Sequence, residues 1–386
     1  MRRTRIFGLT LALFSLALSL VLGELALRLS SPGRYYVWEP GTRQIFRPMP
    51  SIMPGVEGES RFYINEHGLR GDAFSPDQDY RILAVGGSTT ECLYLDETEA
   101  WPHLLQELLN AKPGPRAWVG NVGKSGQMTR NHVVQVEKLT RQYPDIDAVL
   151  LLAGVNDFMR RLKEDRDYRP FPGVGRLSPE ERQALLASSF SVLPSQGSGR
   201  SILVPVEIRQ RLRTAWRQYM EPRQELIQDD AGKVYTLWRK HRQSASRQRT
   251  TLPDLSVALA EHTRNMSRIV EDAGSRGIRV ILLTQPALWR SGLTGEEQAL
   301  LWMGGVGDYQ EEPGHEYYTA EALADGMERF NESLRRICRA RSVTCIDLAR
   351  ELPRDTSVFY DDVHFNEAGS RRVAALIGRT FSRPLP

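Results

Sequence analysis

Short apolar runs alternate with longer amphipathic stretches along most of the chain. Five β-branched-rich runs predict buried strands, and they are Arg81–Val85, Ala117–Val122, Ala148–Ala153, Arg279–Thr284 and Val343–Asp347. Apolar residues recur at helical spacing over Ala100–Asn110, Thr129–Tyr143, Leu255–Arg276, Thr319–Arg341 and Asn366–Phe381. Strands that alternate with helices indicate a parallel sheet covered on both faces. The pattern therefore predicts an α/β protein, a three-layer α/β/α sandwich around five parallel strands.

The alternation breaks between the third and fourth predicted strands. Residues 161–253 contain a polar loop, a Ser/Gly linker and helical stretches that include Val206–Glu221 and Val234–Gln248. We predict a mainly helical insertion here, which either caps the ligand-binding edge of the sheet or acts as a buttress remote from it. Residues 81–160 and 254–386 then form the main domain. Residues 31–80 form a linker and an N-terminal addition that packs on this domain.

The N-terminus has the charge pattern of an exported protein. Met1–Arg5 contains three arginines, and Ile6–Gly23 has no charged residue. The uncharged run is long enough to span a bilayer, and the arginines should stay on the cytoplasmic side. We predict that residues 1–30 are an uncleaved, single-pass anchor in the cytoplasmic membrane, with the remaining chain on the periplasmic side. A cleaved signal peptide is the alternative, although no clean cleavage site follows Leu22.

Composition and charge add a second feature to the insertion. The 386 residues are 41% apolar and 25% charged, which is typical of a globular protein and argues against disorder. The formal net charge is only +4, but residues 160–250 hold 19 Arg and Lys against 10 Asp and Glu. This excess either faces anionic lipid or glycan, or consists of solvated helix faces. We expect no nucleic-acid partner, and the oligomeric state stays open.

The three cysteines indicate no metal site. Cys92 is expected to be a small core residue. Cys338 and Cys345 flank a predicted helix-to-strand turn, and they would pair in an oxidising compartment if the distance between their Cα atoms allows it. No Cys/His spacing indicates a structural metal. We expect the protein to use neither a metal nor a cofactor.

A candidate nucleophile follows the first predicted strand. The strand runs into Gly86-Gly87-Ser88, and the motif Asp361-x-x-His364 precedes the last predicted helix. A serine hydroxyl becomes a good nucleophile when an imidazole takes its proton. The imidazole in turn works best when a carboxylate orients it and stabilises its charged form. Asp362 is an alternative carboxylate, although the spacing to His364 favours Asp361.

Two further motifs follow the second and third predicted strands. They are Asn121–Gly126 and Gly154–Asp157, and the carboxyl ends of parallel strands meet at one edge of the sheet. The backbone N–H groups of Ser88 and Gly126 and the side-chain amide of Asn156 would form an oxyanion hole there, meeting the charge that develops on an attacked ester. Gly123 is the alternative to Gly126, which the spacing favours.

These four motifs, in this order, resemble the SGNH hydrolase superfamily, also called GDSL-type esterases and lipases. The resemblance covers roughly Phe62–Arg160 and Leu255–Phe381. It implies a flavodoxin-like parallel sheet, with Ser88 as the nucleophile, His364 and Asp361 as the rest of a catalytic triad, and Gly126 and Asn156 as oxyanion donors.

Two details qualify the resemblance. The stretch Asn65-x-x-Gly68-x-Arg70-Gly71 is similar to exported, membrane-anchored members of the group. The aspartate that usually precedes the family's serine is Gly87 here. Because that residue takes no part in proton transfer, we expect catalysis to survive with altered local hydrogen bonding.

The sequence therefore predicts a carboxylic ester hydrolase of the SGNH type. Its expected substrate is an acyl ester of a glycan or lipid, such as a carbohydrate O-acetyl group or another small ester. One alternative is an O-acetyltransferase in cell-surface polysaccharide modification, which passes the acyl group to a sugar hydroxyl. The other alternative is a non-catalytic surface-binding protein on the same scaffold.

Overall fold

A computed structural model of the protein describes residues 2–30, 34–111, 113–143, 145–194, 208, 212 and 226–381. The strands in this part of the chain are β1 (Arg43–Pro48), β2 (Ser60–Tyr63), β3 (Tyr80–Gly86), β4 (Ala117–Asn121), β5 (Ala148–Leu152), β6 (Leu226–Ala231), β7 (Arg247–Arg249), β8 (Arg279–Leu283), β9 (Glu316–Tyr318) and β10 (Thr344–Ile346). The α-helices are α1 (Arg2–Ser30), α2 (Ser88–Glu91), α3 (Trp101–Asn110), α4 (Thr129–Gln142), α5 (Val155–Glu164), α6 (Pro179–Ser189), α7 (Lys233–Gln243), α8 (Ser256–Gly274), α9 (Gly295–Leu300), α10 (Ala320–Arg341), α11 (Leu348–Glu351) and α12 (Glu367–Thr380).

The central sheet has five parallel strands in the order β10-β8-β5-β3-β4. Numbered along the chain, this is the order 2-1-3-4-5 of the flavodoxin-like fold. The five predicted strands and the α/β fold class are confirmed. The switch point of this topology lies between β3 and β5, where the strand order reverses, and loops at that edge form the usual ligand-binding crevice.

The strands are apolar throughout because both faces of the sheet are covered. Ile82 and Ala84 of β3 pack into one hydrophobic cluster, with Leu105 of α3. Leu83 and Val85 pack into the other cluster, against α4 and α8. This alternation fixes the register of β3, because a shift of one residue would exchange the two sets of side chains.

The described part of the predicted insertion contains strands as well as helices. β6 pairs in parallel with β1, and β7 pairs in parallel with β9. The predicted helix over Val234–Gln248 ends at Gln243, before β7. The other predicted helix, over Val206–Glu221, lies outside the described residues except at Ile208 and Leu212, which are helical. The division of the chain into domains stays a prediction.

The N-terminal segment forms the helix α1. Within the residues described above, no helix combines the length and the apolar character needed to cross a bilayer. The predicted membrane anchor stays a prediction.

Two of the three cysteines form a disulfide, and the third is a free thiol. Cys338, near the end of α10, forms a disulfide with Cys345 in β10, and their Cα atoms are 5.9 Å apart. That separation is ordinary for a disulfide. Cys92 is a free, buried thiol whose pKa is raised by burial to about 12.

Candidate active site

Ser88 begins α2 directly after β3, at the switch point of the sheet. Ser88 is half-buried. A side chain on Gly86 would place its Cβ 2.6 Å from the carbonyl oxygen of Leu152, and one on Gly87 would place it 2.7 Å from Nδ2 of Asn156. Position 86 therefore needs glycine for the turn to lie this close to the backbone of β5, whereas a side chain at position 87 would displace the Asn156 amide.

Three predicted residues meet in one chain of hydrogen bonds. Nε2 of His364 lies 2.8 Å from Oγ of Ser88, although the two residues are 276 positions apart. Nδ1 of the same ring lies 2.7 Å from Oδ2 of Asp361. The hydroxyl, the imidazole and the carboxylate thus have the order and spacing needed to move a proton from Ser88 to His364.

The surroundings of Asp361 keep it ionised. Its side chain is fully buried, and burial disfavours the charged form. Nevertheless, the attraction of His364 and the hydrogen bonds around the carboxylate hold the pKa of Asp361 below its usual value. The donors are the backbone N–H groups of Val363 and His364 on Oδ1 and the indole of Trp302 on Oδ2.

The pKa of His364 moves in the opposite direction. Burial alone would lower it, but the neighbouring Asp361 carboxylate outweighs burial and raises the pKa above its ordinary value. A raised pKa means that the imidazole binds a proton more strongly. His364 is therefore suited to accept the proton of the Ser88 hydroxyl.

Asp362, the alternative carboxylate, has a different set of contacts. It accepts hydrogen bonds from the indole of Trp289 at 2.7 Å and from the backbone N–H of Trp302 at 2.7 Å. Burial and the neighbouring Asp361 charge raise its pKa. Asp362 thus holds the loop that carries Trp302, whereas Asp361 contacts His364.

The predicted oxyanion donors lie on the loops after β4 and β5. The N–H of Gly123 donates to Oδ1 of Asn121 at 2.8 Å, so it is already engaged. Gly126 is exposed, and within the described residues its N–H has no acceptor. Nδ2 of Asn156 donates to the carbonyl of Gln127 at 2.9 Å, which leaves its second N–H for another acceptor. This arrangement favours Gly126 over Gly123.

The position of α7 beside the His364 ring was not predicted from the sequence. Tyr360 stacks on the His364 ring with centroids 5.6 Å apart, and Tyr235 of α7 lies 6.3 Å from the same ring. Arg239 donates to the carbonyl of Tyr360 at 3.2 Å, and Arg242 to that of Tyr318 at 2.8 Å. The available signal was the spacing of these α7 residues, which places them on one helix face.

Arg70 is a second supporting residue. Its side chain is fully buried, and Nη1 donates to the carbonyls of Glu91 and Cys92. These carbonyls lie at the C-terminal end of α2, where a cation is favourable. The N-terminal addition therefore holds the short helix that begins with Ser88.

In the described part of the chain, no group of three or more His, Cys, Asp or Glu side chains is arranged to hold a metal ion.

A flavodoxin-like sheet with a linked serine, histidine and aspartate at its switch point defines the class of α/β acyl hydrolases. Residues 84–372 match the model of the GDSL-like lipase/acylhydrolase family, and the chain belongs to that family. The resemblance to the SGNH superfamily is thus confirmed. Membrane anchoring of this chain stays a prediction.

Comparison with solved structures gives matches of low sequence identity. LAE5, an α/β hydrolase from the metagenome of Lake Arreo, Spain, is 13% identical, with a TM-score of 0.41 over 78% of this chain and 94% of that chain. A lipase/acylhydrolase from Enterococcus faecalis is 14% identical, with a TM-score of 0.40 over 80% and 99%. The acetylxylan esterase Axe2 from Geobacillus stearothermophilus is 13% identical, with a TM-score of 0.42 over 80% and 97%. No curated protein matches the sequence.

Proposed function

We propose that the protein is a serine esterase that hydrolyses an acyl ester. The observation that carries the proposal is the continuous hydrogen-bond chain from Asp361 through His364 to Ser88. Oγ of Ser88 attacks the ester carbonyl carbon while Nε2 of His364 takes the hydroxyl proton. Asp361 keeps the imidazole in the required tautomer and stabilises its charged form.

The remaining steps, which complete the acyl-enzyme and then hydrolyse it, use the same groups. His364 returns its proton to the departing alkoxide, which leaves as an alcohol, and an acyl group remains on Ser88. Water then attacks this acyl-enzyme, again losing a proton to His364, and the carboxylic acid leaves as Ser88 recovers its hydrogen.

The oxyanion formed in both steps needs donors that are already in place. The backbone N–H groups of Ser88 and Gly126 and the side chain of Asn156 serve as these donors in the proposal. The absence of a competing acceptor for Gly126 within the described residues supports its role. Loss of one such donor costs roughly 3–4 kcal/mol of transition-state stabilisation.

The proposed substrate is a small acyl ester, such as an O-acetyl group on a carbohydrate. Transfer of the acyl group to a sugar hydroxyl in place of water is the alternative outcome of the same acyl-enzyme. Product analysis separates the two, because hydrolysis releases free acetate and transfer yields an acetylated glycan.

The proposal places the reaction outside the cytoplasmic membrane. The three arginines before the uncharged run Ile6–Gly23 support export. The disulfide between Cys338 and Cys345 also supports it, because such bonds persist in oxidising compartments. Fractionation of the producing cell tests this location, and recovery of the protein only from the cytosol would contradict it.

An ester panel tests the proposed activity. The full-length protein is assayed with p-nitrophenyl esters from acetate to palmitate, beside Ser88→Ala and the matched control Ser275→Ala, whose exposed serine lies at the end of α8. We expect turnover by the wild type and the control, and its loss in Ser88→Ala by several orders of magnitude. Equal turnover by Ser88→Ala, or none by the wild type on any ester or acetylated glycan, contradicts the proposal.

A further inference from the structure

Glu91 is a buried carboxylate in the same short helix as Ser88. It is the last residue of α2, and its side chain is almost completely shielded from solvent. Oε2 accepts a hydrogen bond from Oγ of Ser125. Ser125 directly precedes Gly126, so Glu91 holds the loop that carries a proposed oxyanion donor.

The backbones of this loop and of α2 also pack closely against each other. A side chain on Gly123 would place its Cβ 2.1 Å from the backbone nitrogen of Glu91. Nδ2 of Asn121 donates to the carbonyl of Thr90 at 2.9 Å. These contacts fix the start of the loop against α2. Nearer the exposed tip of the loop, the hydrogen bond between Ser125 and Glu91 joins it to α2.

We propose that Glu91 is a positioning residue, whose carboxylate fixes Ser125 and thereby aims the Gly126 N–H at the oxyanion. The inference rests on the proposed function. Ser88 and Gly126 supply donors from two different elements, and their relative position must hold to within about half an ångström for both to meet one oxygen. Glu91 connects the two elements directly.

An ionised Glu91 would hold Ser125 more firmly than the neutral acid. A carboxylate accepts hydrogen bonds at both oxygens, whereas protonation converts one oxygen into a donor. Burial raises the pKa of Glu91 to about 7, against the opposing effects of Ser125, Arg70 and His364. Among the described residues, Lys124, Tyr94 and Cys92 also interact electrostatically with Glu91.

This titration has a defined effect on catalysis. As pH rises, Glu91 loses its proton at about 7 and then holds the loop more firmly, and His364 loses its proton at its own raised pKa and becomes a base. Both changes increase the rate in the same direction. The acid limb of log(kcat/KM) against pH should therefore be steeper than one ionisation allows.

Steady-state kinetics of Glu91→Gln and Ser125→Ala across the pH range test the proposal. For Glu91→Gln we expect kcat to fall about tenfold with little change in KM, since the donor is misaimed but present. Its acid limb should take the slope of a single ionisation. For Ser125→Ala we expect a comparable fall in kcat and an acid limb that also takes the slope of a single ionisation, because the Glu91 carboxylate then has no Ser125 hydroxyl to hold.

Glu297→Gln is the matched control. Glu297 lies in α9, and its carboxylate is also buried but forms an ion pair with Arg290. We expect wild-type kcat and an unchanged acid limb. If the loss of a buried charge affected only stability, the dependence of log(kcat/KM) on pH would be the same in every variant as in the wild type.

Fluorophosphonate labelling of Ser88 in the wild type separates the two proposals. If the wild type labels but Glu91→Gln and Ser125→Ala keep its kcat and pH profile, Glu91 has no positioning role and the esterase proposal stands. If the wild type does not label, the esterase proposal fails first. Ser125 is exposed, so Ser125→Ala decides the question even if Glu91→Gln does not fold.

Discussion

The indole of Trp302 and the carboxylate of Asp361 share a hydrogen bond of 2.9 Å. It ends on Oδ2, the same oxygen that contacts Nδ1 of His364. Trp302 and His364 therefore hold the carboxylate through the same oxygen atom. The Asp362 carboxylate in turn accepts the backbone N–H of Trp302 at 2.7 Å. Asp361 therefore contacts His364, and Asp362 holds the backbone of Trp302, whose indole contacts Asp361.

Replacement of Trp302 by phenylalanine should impair catalysis. The change removes a hydrogen bond to a buried charge, which contributes about 1.5–3 kcal/mol. We expect kcat to fall about tenfold or more for any ester that the wild type turns over. Trp238→Phe is the control, because the Trp238 ring packs against Trp302 in a tilted arrangement, with centroids 4.6 Å apart. Equal kcat in the two variants would show that the indole hydrogen bond has no role.

The protonation of His364 should follow the charge of Asp361. That carboxylate raises the pKa of His364 above its ordinary value, against the opposing effect of burial. The imidazole is therefore a base only above the raised value, and it is protonated as pH falls through that value. In Asp361→Asn we expect a lower pKa, observed as an NMR titration of the His364 ring proton. Asp145→Asn, an exposed remote change, should leave the titration in place, and an unshifted His364 in Asp361→Asn would argue against the pair.

Arg239 should stabilise the protein as well as the site. Its buried guanidinium donates to the carbonyls of Ile52, Leu300 and Tyr360. Arg239→Ala leaves these acceptors without their cationic partner, and we expect a loss of about 2–4 kcal/mol in the free energy of unfolding. Denaturant unfolding measures it, with the exposed Lys240→Ala as control. Identical unfolding of both variants would contradict the role of α7.

Restoring the family's usual aspartate before the serine should lower activity in this protein. Any Cβ at position 87 lies 2.7 Å from Nδ2 of Asn156, so Gly87→Asp must displace the Asn156 amide or the turn. Loss of an oxyanion donor costs about 10²–10³ in kcat. Gly87→Ala should show much of the same loss, because the Cβ alone causes the contact. A wild-type kcat in Gly87→Asp would show that catalysis does not depend on the present position of the Asn156 amide.

The sheet could be predicted from the sequence because each strand is buried on both faces. Continuous apolar runs such as Ala148–Leu152 have no other simple interpretation when helices of regular spacing separate them. The meeting of Ser88 with His364 followed from the motifs, which lie at strand and helix ends that the fold brings to one edge. Local sequence therefore predicted the strands and the central residues, whereas the flavodoxin-like strand order came from the resemblance to the SGNH superfamily.

Other features depend on contacts between distant segments. Tyr235 and Arg239 precede the Asp361 motif by more than a hundred residues, and nothing near either segment indicates that they touch. β7 and β9 have three residues each, too few for a periodic pattern. The buried Arg70 appeared in the sequence as a family motif, but its role in capping α2 depends on carbonyls that only the fold places there.

The rate and position of fluorophosphonate labelling test the central claim most directly. The probe reacts with a serine that a base has activated, and peptide mapping identifies the residue. We predict a single adduct on Ser88, with a labelling rate about 10³–10⁴ lower in His364→Ala. An adduct on another residue, or an equal rate in His364→Ala, would contradict the account.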